Sequence, residues 1–315
     1  MINVKKGGSM KVRRSALSRI TAEDVIFDTI NYLLLIFLCV ATLYPFLNTL
    51  AISLNDATDA IRGNIYLWPR EFSWRNYEMI LKENTNIGSA LFISAARAVA
   101  GAGTSVFACL MIAYTLSRRD FVLRRFFIKF LVLTMYFSGG MIPVYLLMRS
   151  LGLINNFLVY ILPGMVGAYN VMVMRSYIEG IPESLVEAAK IDGASEYRIL
   201  FTIIMPLSLP VIATIILFVA VGQWNSWIDT MLYCSSRQEL STLQFELQKL
   251  LSSTRTMTSA TADSAEALGL LEKGIVTPNS LRAAMTIIAT VPILFSYPFL
   301  QKYFVQGLTL GGVKG

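Results

Sequence analysis

Ile181-Pro182-Glu183-Ser184-Leu185-Val186-Glu187-Ala188-Ala189-Lys190-Ile191-Asp192-Gly193-Ala194-Ser195-Glu196-Tyr197-Arg198 is a polar stretch between two long charge-free runs. Pro182 can open a helix at its first turn, Glu183 sits favourably at the positive end of the dipole, and Gly193 can supply a left-handed stop. These signals predict a short helix outside the apolar runs. A second helical stretch starts near Ser195 and feeds into the next run. Ala188 and Ala189 let another surface approach closely, while Glu187, Lys190 and Asp192 offer directed polar contacts at the rim. Such a helix suits a groove on a separate protein.

What flanks this helix is apolar. Of 315 residues 55% are hydrophobic and 15% charged, with a mean hydropathy of +0.58, whereas soluble domains carry roughly 25% charged residues. No charge occurs from Thr29 to Asn55, Phe130 to Met148, Ser150 to Met174, Ile199 to Ile228 or Ala283 to Gln301. A sixth run, Ile87 to Leu116, is interrupted by Arg97. About 20 residues cross the roughly 30 Å hydrocarbon layer, so the expected fold is an all-α integral membrane protein of six transmembrane helices. The spans fall at about 27–54, 87–117, 127–148, 157–178, 202–227 and 282–304, with the segment 181–200 between the fourth and fifth. The first run is too long for a signal-peptide core of about 7–15 residues and reads as a retained anchor.

Basic residues orient the chain, because cytoplasmic loops are enriched in them. Lys5, Lys6, Lys11, Arg13, Arg14 and Arg19 precede the first span, and Arg118, Arg119, Arg124, Arg125 and Lys129 follow the second. Both groups are expected in the cytoplasm, as are the 181–200 segment and both termini. The organisation is then a basic cytoplasmic segment 1–26, a six-span domain 27–305 with an outer loop 228–280, and a cytoplasmic tail 306–315. The net charge of +7 follows this topology and needs no nucleic acid.

Chemistry is bounded by what is missing. The chain has no histidine and three cysteines in no CxxC spacing, which removes the commonest general base and the usual metal and redox motifs. No metal site, no Ser-His hydrolase and no catalytic residues are expected. A secondary transporter would need intramembrane Asp, Glu or His, which the spans lack apart from Asp28 and Asp229 near their ends.

Breaks in the spans are frequent: Pro45, Gly139-Gly140 with Pro143, Pro163-Gly164, Pro206 with Pro210, and Pro292 with Pro298. They fit a bundle around a water-filled path, or ordinary kinking for packing. In the outer loop, Leu240, Leu243, Leu247, Leu250 and Leu251 recur at helical spacing. That stripe can dock a partner, lie on the membrane interface or pack on the bundle itself. The Ser/Thr-rich stretch Ser252–Ser264 reads as a link.

Glu187-Ala188-Ala189, Asp192-Gly193, Ile203 and Met205-Pro206 resemble the EAA motif of ABC importer permeases, with Met205 where Leu is commoner. The tail Gln301-Lys302-Tyr303-Phe304-Val305-Gln306-Gly307-Leu308, ending in Gly312-Val313-Lys314-Gly315, is similar to that of carbohydrate-uptake permeases of the maltose-importer type. Phe137-Ser138-Gly139-Gly140 and Trp224-Asn225-Ser226-Trp227 look like the oligosaccharide permeases of the lpl/ytc branch. The resemblance implies a type I (MetI-like) ABC importer permease in the bacterial plasma (inner) membrane, with the 181–200 segment as a coupling helix in a cleft of a separate ATPase. Its implied partners are a second permease in a heterodimer, two ATPase subunits and an extracellular sugar-binding protein. The chain has no Gly-x-x-x-x-Gly-Lys-Ser/Thr loop, so it binds no cofactor itself, and ATP and Mg are expected on the ATPase.

A sugar path implies aromatic faces with amide and hydroxyl partners. The candidates are Arg97, Tyr136, Asn170, Gln223 and Asn225, with Tyr169, Trp224 and Trp227 beside them. The two tryptophans read as interfacial belt residues. Arg97 within its span should face the bundle interior. Its expected partners are helix carbonyls, Asn170, a tyrosine or a carboxylate of another subunit, and its role is either sugar contact or packing lock. A polyamine, phosphate or other solute remains the alternative cargo for the same architecture.

Overall fold

The computed structural model describes residues 22–82, 86–259 and 277–312. The basic lead 1–21, the tip 313–315 and residues 260–264 of the expected Ser/Thr link fall outside the described residues, whereas residues 252–259 of that stretch are helical and not a link. Helices α1 (Ala22–Ser53), α2 (Ala57–Ile61), α3 (Arg75–Lys82), α4 (Asn86–Ser117), α5 (Arg124–Tyr136), α6 (Met141–Ser150) and α7 (Ala168–Glu179) come first. Then follow α8 (Glu183–Ile191), α9 (Glu196–Ile199), α10 (Met205–Leu207), α11 (Leu209–Asn225), α12 (Ile228–Tyr233), α13 (Leu243–Ser259) and a C-terminal helix, Pro278–Gly312. No named strand occurs among the described residues, where one isolated bridge joins Asn55 and Phe72.

The bundle is built around α4. Its buried face runs Ala90, Ser94, Arg97, Ala98, Gly101, Ala102, Ser105, Cys109 and Ala113, a seam of mostly small residues at helical spacing that lets other backbones approach closely. Helices α7 and α11 pack along this seam. At the α8 end the core joins Cys109, Ala113 and Tyr114 of α4 to Val171, Met174 and Ile178 of α7, Val186 of α8 and Ile215 of α11. At the other end Ile87 and Ala98 meet Trp224, Leu243, Leu247, Ala284 and Met285. By contrast α1 is apolar and exposed over residues 24–46, as a helix surrounded by lipid or other chains would be. Its last turn is capped by a polar knot, where Asn55 donates to Asp59 and Asn76 donates to the carbonyl of Ser53.

Among the described residues two helices, Asp24–Ser53 and Asn86–Ser117, are long and apolar enough to cross a membrane. Where the sequence predicts kinks, three other stretches break outright. Residues 127–148 form two helices, α5 and α6, at 115° to each other, because Phe137 is extended and Gly140 takes a φ of +85°. The stretch 202–227 begins in a π turn, Leu200–Ile204, and bends by 80° at Ser208. There the prolines at 206 and 210 withhold backbone donors. The stretch 157–178 is a short 3-10 turn at Phe157–Tyr160, a turn through Pro163-Gly164 and only then α7. Twelve residues rise about 18 Å, short of a full crossing. Near the C-terminus the helix is continuous through Pro292 and Pro298.

The leucine stripe of the outer loop packs on the bundle. Leu243 and Leu247 are buried against α4 and the C-terminal helix, with Leu250 and Leu251 beside them. Leu240 belongs to a separate cluster with Tyr160 and Tyr233. Ser94 of α4 accepts from the Leu243 N–H at 2.9 Å, fixing where α13 begins.

Candidate functional site

Helix α8 is cut to nine residues by its ends. Pro182 caps it at φ −55°, Glu183 stands in its first turn and Lys190 in its last. Gly193 takes a φ of +76°, the left-handed position where a side chain is strained. The Gly193 N–H donates to Lys190 O at 3.0 Å and the Ala194 N–H to Ala189 O at 2.9 Å. This paired Schellman geometry satisfies the last carbonyls.

The alanine pair has two different jobs. Ala189 is buried with Val186 against the core of α4, α7 and α11, whereas Ala188 is exposed. The two residues that the sequence singles out together therefore lie on different faces, as helix neighbours set about 100° apart can. Leu185, Ala188 and Ile191 share the outward face, and Ile191 is 86% exposed. Sequence reading passed over Leu185 and Ile191; their signal is an apolar i, i+3 repeat on a helix that lies outside the apolar runs. Glu187 and Asp192 are exposed at the rim of this face.

Polar contacts fix α8 to the bundle. Lys190 meets Glu196 at 2.9 Å and Asp120 at 3.6 Å, and the Tyr114 hydroxyl of α4 donates to Glu196 at 2.5 Å. The hydrogen bond from Tyr114, with that from Lys190, holds the Glu196 carboxyl below its ordinary range. The hydrogen bond to Glu196 raises the Lys190 ammonium above its own. Arg124 and Arg175 both pair with Glu179 at the end of α7. Beyond α9, Ile203 packs on the same core, and Pro206 is exposed just before the 80° bend. Ser208, at that bend, has a buried hydroxyl without a partner.

A second polar cluster lies nearer the other end of α4. The buried Arg97 guanidinium donates through Nε and Nη2 to Gln223 Oε1 at 3.0 and 2.8 Å, through Nη1 to Ser226 O at 3.3 Å, and to both oxygens of Asp229. It also lies 4.4 Å from the centre of the Tyr160 ring. The expected partners of Arg97 are thus corrected in part: Tyr160 is the tyrosine and Ser226 the carbonyl, but the carboxylate is this chain's own Asp229, 132 residues away. No local pattern announces a pair so distant, and Asp229 reads in the sequence only as a residue at the end of a span. Asn170 is not among the partners; it is half-buried, packed beside Gly167.

Of the residues expected along a path, Arg97 and Gln223 come together. Tyr136 and Tyr169 are 81% and 56% exposed and stand outside the cluster. Asn225 is exposed as well. Trp224 is not an interfacial belt residue: it is buried, and its indole N–H donates to Ala289 O at 2.9 Å. Around the ion pair opens a cavity of about 420 Å³, lined by Arg97, Tyr160, Gly164, Gln223, Asp229 and Tyr233 among others. Among the described residues no cluster suits a metal ion.

Comparison with known proteins bears on both regions. Residues 101–310 match the family described as binding-protein-dependent transport system inner membrane component. The chain is 35% identical over 294 residues to the polygalacturonan/rhamnogalacturonan transport system permease protein YtcP of Bacillus subtilis, covering 93% of this chain and all of YtcP. It is 33% identical to protein LplC of the same organism, over 94% of this chain and 97% of LplC. In structure it is similar to a bacterial ABC transporter involved in the import of the acidic polysaccharide alginate. The TM-score is 0.79 and the identity 29%, over 90% of this chain and 98% of that one. A match over about two thirds of its length, centred on the helices that carry both polar regions, shows that the chain belongs to the inner membrane components of binding-protein-dependent transport systems.

Proposed function

We propose that this chain is a permease subunit of an ABC importer that moves a carbohydrate, an oligosaccharide in particular, into the cytoplasm. The observation that carries this reading is full-length similarity to a permease named for polygalacturonan and rhamnogalacturonan transport. On this reading α8 is the coupling helix. Its exposed stripe of Leu185, Ala188 and Ile191 enters a cleft of the ATPase, and Glu187, Asp192 and Gly193 set its rim and its end. Ile203 and Pro206 carry its displacement into α11. The chain crosses the plasma membrane six times with both termini in the cytoplasm. The broken stretches 127–148, 157–178 and 202–227 count as one crossing each, since irregular backbone at membrane depth is tolerated where protein or a hydrated path surrounds it.

ATP and Mg belong to the two ATPase subunits, and this chain supplies motion and a path, not chemistry. A second permease completes the path, with the exposed α1 available to it or to lipid, and a binding protein delivers the sugar from outside. ATP-driven closure of the ATPase pair drags α8, and rigid movement of the helices attached to it switches the opening from one side to the other.

The test is uptake by cells or vesicles carrying the whole importer. ATP-dependent accumulation of a labelled oligosaccharide that requires this chain is the expected result. Accumulation of a polyamine or phosphate, with no carbohydrate taken up from a broad panel, contradicts the cargo.

A further inference from the structure

Arg97 is the obvious charge with which to grip a substrate in the path, and its surroundings take that role away. A guanidinium has five N–H donors, and here all five have acceptors within the chain, on Gln223, Ser226 and Asp229. One face of the group is covered by Tyr160, and the side chain is 2% exposed. The Asp229 side chain is 23% exposed. It also accepts from the Ser226 hydroxyl at 2.7 Å and the Thr230 N–H at 3.2 Å, both on Oδ1. Neutral overall, the pair shows the cavity its carboxylate side.

The cavity itself has the marks of a ligand site. Its volume, about 420 Å³, lies within the ~300–1,000 Å³ of small-molecule sites. One wall is the interrupted stretch where the 3-10 turn ends and Pro163-Gly164 turns toward α7. Broken backbone inside an apolar run is a recurring device for building a polar site at membrane depth. Small residues keep the space open: at Gly222, which lines it, an added Cβ meets nothing within 4 Å. Tyr160 and Tyr233 line the same cavity.

We infer that this cavity is a sugar subsite, in which Asp229 Oδ2, the carboxylate oxygen that accepts a single hydrogen bond within the chain, accepts from a hydroxyl of one uncharged sugar face and Arg97 serves as the internal clamp that positions Asp229. It rests on the carbohydrate reading above. Carboxylates of an acidic sugar, repelled by Asp229, have to lie elsewhere along the path.

The test uses the intact importer in membranes, with Cys39, Cys109 and Cys234 replaced by Ala and Gly222→Cys as the reporter. Matched cationic and anionic methanethiosulfonate reagents probe the thiol. The expected result is a cation-to-anion rate ratio about two- to threefold above that of the same reagents on a free small thiol, a modest excess because the Arg97 guanidinium offsets most of the Asp229 charge. A neutral arabino- or galacto-oligosaccharide slows both reagents, and galacturonate monomer does not. In the Asp229→Asn variant the preference for the cation disappears. Should that variant fail to assemble, Arg97→Gln with Asp229→Asn removes both charges and is expected to abolish the preference while restoring assembly. A rate ratio in the parent no higher than that of a free small thiol, no reaction at all, or protection by galacturonate alone overturns the subsite. If the importer takes up carbohydrate but the thiol shows no charge preference, only the subsite fails. If no carbohydrate is taken up, the function proposed above fails first.

Discussion

At the scale of single residues, the Arg97 cluster shows how much a small side chain can decide. Gly101 lies one helical turn from Arg97, and a Cβ built on it stands 3.0 Å from three atoms of the Gln223 side chain. Gly101→Ala should push Gln223 off the guanidinium and destabilise the assembled complex by about 1–3 kcal/mol, read as a lowered melting temperature. Gly103, with nothing within 4 Å, is the control: Gly103→Ala should hold or raise stability by up to about 1 kcal/mol. Removing one partner of a buried ion pair costs about 3–5 kcal/mol. Arg97→Gln and Asp229→Asn should therefore each lower the yield of complex, and the double variant should lose less than the sum of the two. A double variant as poor as the sum would show that the pair acts through something other than mutual compensation.

Single elements are held by a few contacts, and α8 is the clearest case. The Gly193→Ala variant forces a left-handed residue with a Cβ, at about 1–2 kcal/mol, confined to the stop of one helix. Faster amide exchange in α8 with an unchanged exchange pattern in α4 is the expected signature. The Glu196 latch should also respond to pH. Its carboxyl is held below the ordinary range by Tyr114 and Lys190, so its contribution is complete above the unfolded carboxylate pKa. That contribution is lost as pH falls through the lower folded value. The protection of α8 amides, taken relative to their intrinsic exchange rate at each pH, should thus be steady at neutral pH and fall on acidification below the ordinary carboxylate range, and Glu196→Gln should flatten that response. Much of this element was legible in the sequence, because Pro182, Glu183 and Gly193 act locally. The buried role of Ala189 was not, since it depends on which way the helix rolls against α4 and α7. Trp224 was misread for the same reason, its indole finding a carbonyl 65 residues away. The pairs Arg97 with Asp229 and Tyr114 with Glu196 escaped as well, as no pattern in the chain links positions so far apart.

For the whole molecule, composition and run length identified an all-helical membrane protein, and the motif around α8 identified its family. Three runs that read as continuous spans prove broken, because proline and glycine tell where backbone hydrogen bonding is weak and not how far the chain turns there. Those breaks turn the chain by 115° at 137–140 and by 80° at Ser208, the second of them lying between α8 and α11, both of which pack on the α4 core. The central claim is that this displacement comes from a separate ATPase that grips α8 by its exposed face. The most direct measurement is purification of the chain from its membrane with its natural partners, wild type beside Ala188→Asp, which places a charge at the centre of that face and leaves the bundle core untouched. The account predicts a second permease in both preparations and an ATPase in the wild type alone. An ATPase retained by a well-expressed Ala188→Asp variant that still imports its substrate would contradict it.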